Sequence, residues 1–290
     1  MDIAPYTPQA AARPAPPLAT RRIVHQTAGF RHGAITRLMS PSDLGEQVKP
    51  YVFLDHFDDP AMRPAAMPLH PHSGIATLTY LLDGHIRYED STGASGTLPP
   101  GSVEWMMAGG GVWHGGGAAA QGRIRGFQLW VAMPPELENA PAFSRYISPE
   151  GLPSAGPARV LLGQYMGVAG AVAAPSPMTY LGVHLRGGEH WRYVPPSGHS
   201  VAWLAVSSGE LRAPSPINAG EMAVFEESDQ AIDLHAPRDA EFVIGSAAPH
   251  PHPLVLGSYS VHTNAAALAL GASRIREIGA TLEGRARVRF

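Results

Sequence analysis

The chain has 290 residues, room for two domains of ordinary size, with 44% hydrophobic and 16% charged residues and a formal net charge of -3. Its 21 Lys plus Arg are scattered apart from a short basic end at Arg285, Arg287 and Arg289, so it carries no electrostatic footprint for nucleic acid, and no run of 18 apolar residues would span a bilayer. The absence of cysteine removes disulfides and thiolate metal ligands, and with no secretory leader pattern the expected location is cytoplasmic.

Residues 1–20 are rich in Ala and Pro without apolar periodicity and are expected to form an irregular arm. From Arg22 onward, short apolar runs alternate with turn signals, and 51–57, 75–82, 86–88, 102–107 and 124–131 are predicted as strands. Asp83-Gly84 reads as a hairpin turn and Pro99-Pro100-Gly101 as a second turn. With 32 Gly and 29 Pro, the chain is broken too often for long helices, and strands in this rhythm close into a barrel or sandwich. The proline-spaced stretch that follows residue 133 interrupts the rhythm and reads as a linker. The domains are therefore expected as an arm over 1–20, a first barrel over 21–140, a linker over 141–157 and a second barrel with tail over 158–290. Val201 to Leu211 and the following Asn218-Ala219-Gly220-Glu221 echo the first half, as in a duplication. A helix is predicted over 265–278, weakened by Gly271.

Among 14 histidines, His70 and His72 stand out, because residues two apart on an extended chain project to one face and can reach one ion. Pro71 between them pre-sets an extended backbone. About forty residues on, His114 ends an apolar run after the Gly109–Gly111 turn, which is expected to leave space near the ion, and is the candidate third ligand. The second pair, His250 and His252, lacks a strand-like frame and reads as surface, as do His25, His32 and His85. Trp105, Trp113 and Trp130 read as core rather than as a substrate platform. Glu104 shares a strand face with Met106, but alternation does not say which face is inside.

The runs Tyr51-Val52-Phe53-Leu54-Asp55-His56-Phe57, His70-Pro71-His72-Ser73-Gly74, Thr79-Tyr80-Leu81-Leu82-Asp83-Gly84 and Pro100 through His114 resemble the pirin family of bicupins almost continuously. The segment Pro253 to Asn264 resembles that family's closing segment. The resemblance implies an all-β fold: two cupin-type (jelly-roll) β-barrels in tandem with a short C-terminal helix, and metal only in the first barrel. It implies three histidines and one glutamate as ligands. The histidines carry over onto His70, His72 and His114; the glutamate falls on Gly116, and a further acidic position falls on Ala76. His56 stands where relatives are acidic and is a candidate replacement ligand.

Three neutral imidazoles leave a divalent ion its full charge and favour anionic oxygen ligands such as a catecholate or enolate. The implied cofactor is one divalent metal, Fe(II) first, with Zn, Ni, Mn or Cu suited to the same nitrogens. Two readings follow. One is an Fe(II)-dependent dioxygenase similar to the quercetin 2,3-dioxygenase activity attributed to the family, acting on a small aromatic or enol-type substrate. The other is a metal-binding or metal-free regulatory protein that works through a partner protein, without direct nucleic-acid or membrane binding.

Overall fold

The computed structural model describes residues 21–63 and 67–288. The predicted strands form, most of them extended by a few residues: Tyr51–Met62, Ile75–Asp83, Ile86–Asp90, Val103–Met107 and Gly122–Ala132. They belong to two similar halves. In the first, a seven-stranded antiparallel sheet runs in the order Phe143–Ile147, Val103–Met107, Ile75–Asp83, Gly122–Ala132, Tyr51–Met62, Ile35–Met39, Phe30–His32. A four-stranded sheet, Met67–His72, Val112–Ala118, Ile86–Asp90, Ser95–Leu98, packs across it through Leu81, Leu98, Ala118 and Ile124.

The second half repeats the plan. Its seven-stranded sheet includes Val201–Ser208, Ala240–Ala247 and Met178–Leu185, and its four-stranded sheet includes Ile232–His235 and Glu210–Ala213. The two jelly-roll barrels lie back to back on their large sheets. Leu78, Trp105, Phe127 and Leu129 of the first meet Tyr180, Trp203 and Val243 of the second in the largest apolar cluster of the described residues. Each fully buried side chain of this size contributes about 1.5–3 kcal/mol, so the seam is a core rather than a hinge. Tyr51 crosses it, its hydroxyl placed 2.7 Å from the carbonyl of Thr179 and 2.9 Å from that of Ser246.

The barrel interiors differ, and the difference places the chemistry. The second is filled by Leu181, Val183, Leu204, Leu211, Ile232 and Phe242 with their neighbours. In the first, apolar residues form two separate clusters, around Ile75, Met106 and Val112 and around Leu81, Leu98 and Ile124. Polar side chains, among them Thr79, Glu104 and His114, are buried as well.

Several segments lie elsewhere than the sequence boundaries put them. Ile23–Thr27 pairs with Met222–Phe225 of the second barrel, and the chain then crosses to the first. Arg21, fully buried, anchors this crossing by donating to the carbonyls of His199, Ser200 and Gln230. Within the expected linker, Phe143–Ile147 is an edge strand on Val103–Met107, and Ser154–Ala155 pairs with Ala158–Leu162. Such edge strands bury little and so leave a faint periodic signal. The expected arm over 1–20 lies outside the described residues.

The C-terminal helix spans Ala265–Val288, longer than the stretch predicted. Asn264 caps it, its side chain accepting from the backbone N–H of Ala267 at 2.9 Å. The helix packs on the first barrel, where the Trp113 indole donates to the Ile275 carbonyl at 2.9 Å. Gly271 sits at the contact: a Cβ there would fall 2.6 Å from Ser73 Oγ and 2.8 Å from His262 Nε2. The residue that weakens the helix pattern is the one that permits its close approach.

Candidate metal centre

Met67–His72 is an edge strand of its four-stranded sheet, a position where Pro71 removes no needed ladder hydrogen bond. Its antiparallel neighbour Val112–Ala118 sets His114 directly opposite His70 and Val112 opposite His72. Alternation turns all three rings to one side. The ligand atoms of His70, His72 and His114 lie within 4.8 Å of one another, the one such cluster of three or more metal-binding side chains among the described residues. Ring centroids stand 4.5–5.1 Å apart.

The hydrogen bonds select the ligating nitrogens. His70 Nδ1 lies 3.1 Å from the Pro68 carbonyl and His72 Nδ1 lies 2.9 Å from the Tyr259 carbonyl. A carbonyl only accepts, so in each neutral ring Nδ1 holds the proton and Nε2 the lone pair. His114 has its Nδ1 3.7 Å from Glu104 Oε1, while its Nε2 is buried without a hydrogen-bond partner. Burial, and then the neighbouring His114, hold His70 and His72 below the ordinary imidazole value, well below for His72. Neutral imidazoles with converging lone pairs and one orphaned buried nitrogen fit a divalent metal.

Three sequence expectations are corrected here. His56 does not turn toward the triad: its Nε2 lies 3.0 Å from Ser207 Oγ of the second barrel, and Arg125 donates to the same hydroxyl at 2.9 Å. The strand carrying His56 lies in the seven-stranded sheet, and this position serves the seam between barrels. The Gly109–Gly111 turn opens no space at the site, because the carbonyl of Ala140 covers Gly109 and the C-terminal helix covers Gly111. His250, read as surface, is buried, and burial followed by the charge of His252 lowers its pKa to about 4.

The tryptophans separate as well. Trp105 is core of the seam, and Trp113 lies beneath the C-terminal helix. Trp130 stacks on Phe53 with centroids 4.0 Å apart and stands edge-on to His72 at 5.0 Å, which makes it a wall of the site. Tyr259, half exposed at positive φ, sets its ring about 6 Å from those of His70 and His72. Sequence reasoning gave neither residue a place at the site. Tyr259 lies 187 positions from His72, too far for any local pattern to connect them.

The segment bearing Tyr259 is fastened by a buried network. Ser73 Oγ meets Ser260 Oγ and His262 Nε2, each at 3.0 Å. Glu138 approaches His262 Nδ1 at 3.4 Å and accepts from the backbone and hydroxyl of Thr263 at 2.6 and 2.8 Å.

The pirin family model matches residues 33–131. A pirin-like protein of Caulobacter vibrioides is 32% identical over 219 residues, which cover 71% of this chain and 76% of that protein. The chain belongs to the pirin family. The crystal structure of quercetin 2,3-dioxygenase from Acinetobacter baumannii matches with a TM-score of 0.81 at 23% identity, over 88% of this chain and 96% of that one. That of a bacterial pirin from Escherichia coli in complex with nickel(II) matches with a TM-score of 0.60 at 18% identity, over 76% and 94%. Both share the tandem-barrel fold. Among the described residues, no helix is long and apolar enough to cross a membrane.

The two positions where the resemblance implied a carboxylate are Gly116 and Ala76, and the packing at each is tight. A Cβ at Gly116 would fall 1.9 Å from the Arg87 carbonyl oxygen of the adjacent strand, so no side chain fits there. Ala76 is fully buried in the seam beside Leu78 and Trp105, where a carboxylate would be unpaired in an apolar core.

Proposed function

We propose that this pirin is an Fe(II)-dependent dioxygenase of flavonol- or catechol-like substrates, with His70, His72 and His114 as metal ligands. The observation that carries the reading is the convergence of three imidazoles in one barrel, two of them with Nε2 selected by a carbonyl on Nδ1. Fe(II) held by such nitrogens supplies Lewis acidity and one-electron chemistry toward dioxygen, and Zn, Ni, Mn or Cu suits the same set. The protein supplies the rest. Neutral His70 and His72 need release no proton to bind the ion. Trp130, braced by Phe53, and the ring of Tyr259 offer apolar walls for a flat aromatic ligand. The quercetin dioxygenase of Acinetobacter baumannii, which shares the fold, supports the choice of substrate class.

The test is oxygen consumption by iron-loaded protein supplied with quercetin and simpler catechols. Uptake that falls at least 100-fold in His72→Ala supports the proposal; uptake no faster than in that variant overturns it.

One observation favours the second reading, a regulator acting on a partner protein. Phe30 and Ile35, 73% and 44% exposed, line a cleft of about 750 Å³ together with His25, Arg37 and Asp55. A metal-loaded protein that consumes no oxygen with any catechol supports that alternative.

A further inference from the structure

We infer that Glu104 is the carboxylate of this metal centre, acting as a positioning residue through His114 rather than as a ligand beside it. The inference rests on the proposed three-histidine site and adds what sets its third ligand.

The sequence leaves the centre without a carboxylate, and the packing at Gly116 and Ala76 closes both positions to one. Glu104 reaches the site from a different strand. Val103–Met107 is buried on both faces, with Trp105 and Met107 turned into the seam between barrels. Met106 belongs to the interior cluster of the first barrel, and Glu104 shares its face. Its Oε1 stands 3.7 Å from His114 Nδ1, with the two side chains only 9% and 7% exposed. The next side chain inward fixes its orientation: the Thr79 hydroxyl donates to Glu104 Oε2 at 2.9 Å. Gln128 Oε1 stands 2.7 Å from the same hydroxyl, a second acceptor for its single proton. Thr79 thus ties Glu104 and Gln128 together beside His114.

The three rings then follow one rule. Each turns Nδ1 toward an oxygen: His70 and His72 hydrogen-bond the carbonyls of Pro68 and Tyr259, and His114 faces the Glu104 carboxylate at the longer, ion-pair distance of 3.7 Å. Of the three oxygens, only the one facing His114 belongs to a carboxyl group. A carboxylate behind a ligating imidazole fixes the tautomer and strengthens the nitrogen as a donor. It also leaves more of the ion's own charge toward the open positions than a directly bound carboxylate would. The buried Nε2 of His114, without any hydrogen-bond partner, is the atom this arrangement prepares.

The test titrates the full-length metal-free protein with Co(II), read by visible absorption. The unaltered chain is expected to take up one Co(II). Glu104→Gln keeps the shape and the bond from Thr79 but lacks the charge, and is expected to bind 10- to 100-fold more weakly, with the melting temperature of the metal-free protein unchanged. In a His114→Ala background, the same substitution is expected to change affinity less than about 3-fold, because its route to the metal is gone. Proton NMR of the Co(II) protein gives a signature that a purely structural role would not produce: of the shifted, exchangeable ring N–H signals, the one from His114 moves in Glu104→Gln. Wild-type affinity in Glu104→Gln, or an equal loss with and without His114, overturns the inference and leaves the three-histidine site standing. No Co(II) uptake by the unaltered chain overturns the site and the inference together. If Glu104→Gln fails to fold, Thr79→Val frees the carboxylate without removing it. Several-fold weaker binding then supports the inference, and unchanged binding overturns it.

Discussion

His56 shows how one imidazole can be spent on the seam rather than on the metal. It is 6% exposed, its ring lies 4.8 Å from that of Phe127, and Ser207 meets its Nε2. Arg125 donates to the same Ser207 hydroxyl, whose proton is left available for Nε2 of a neutral ring. Burial is the main cause that lowers its pKa to about 4; Asp58 opposes the shift, and Arg125 and Arg123 reinforce it. The unfolded chain takes up this proton near the ordinary imidazole value of 6.5 and the folded chain only near 4, a gap worth about 3 kcal/mol. With the folded value depressed for a base, stability is full above the unfolded value and is lost as pH falls from about 6.5 to 4. Urea unfolding across that range should show the decline. His56→Asn, which keeps a polar group toward Ser207, should lose a smaller share, the remaining slope including the similarly depressed His250.

At the scale of elements, the C-terminal helix and the edge strand of the ligands are linked through Ser73. Gly271→Leu would drive its side chain into Ser73 and His262, lifting the helix and loosening the segment that presents the Tyr259 carbonyl. The expected cost is about 1–3 kcal/mol by chemical denaturation. Trp113 fluorescence should shift as its bond to Ile275 is lost. The histidine pair was legible in the sequence through its two-residue spacing, and His114 because it ends an apolar run, although in the structure it is the third residue of the strand Val112–Ala118. The inward face of Glu104 was not. Every residue of Val103–Met107 is buried, so there is no contrast of wet and dry sides to say which one holds the site. The crossing strand Ile23–Thr27 was missed for the opposite reason: it buries almost nothing, and its pairing partner is some two hundred residues away.

At the scale of the whole molecule, two barrels sharing one apolar seam should behave as one cooperative unit. Tyr51 tests this. Tyr51→Phe keeps the ring against Trp203, whose centroid is 5.3 Å away, but removes the donor beside the Thr179 and Ser246 carbonyls. A loss of about 1–3 kcal/mol is expected. Calorimetry should show a single transition moving to lower temperature; two resolved transitions would mean that the barrels melt independently. Duplication was visible in the sequence as an echo of strands and turns. What differs between the copies is the content of the barrels, and it is the polar residues buried in the first that make room for chemistry.

The carbonyl that orients His72 belongs to Tyr259, 187 positions further along the chain. Until residues 253–264 pack against the first barrel, His72 lacks the partner that fixes its ring, whereas His70 takes its own from Pro68 on the same strand. A divalent ion arriving earlier would meet an unfinished cradle, so metal capture should follow the docking of that segment.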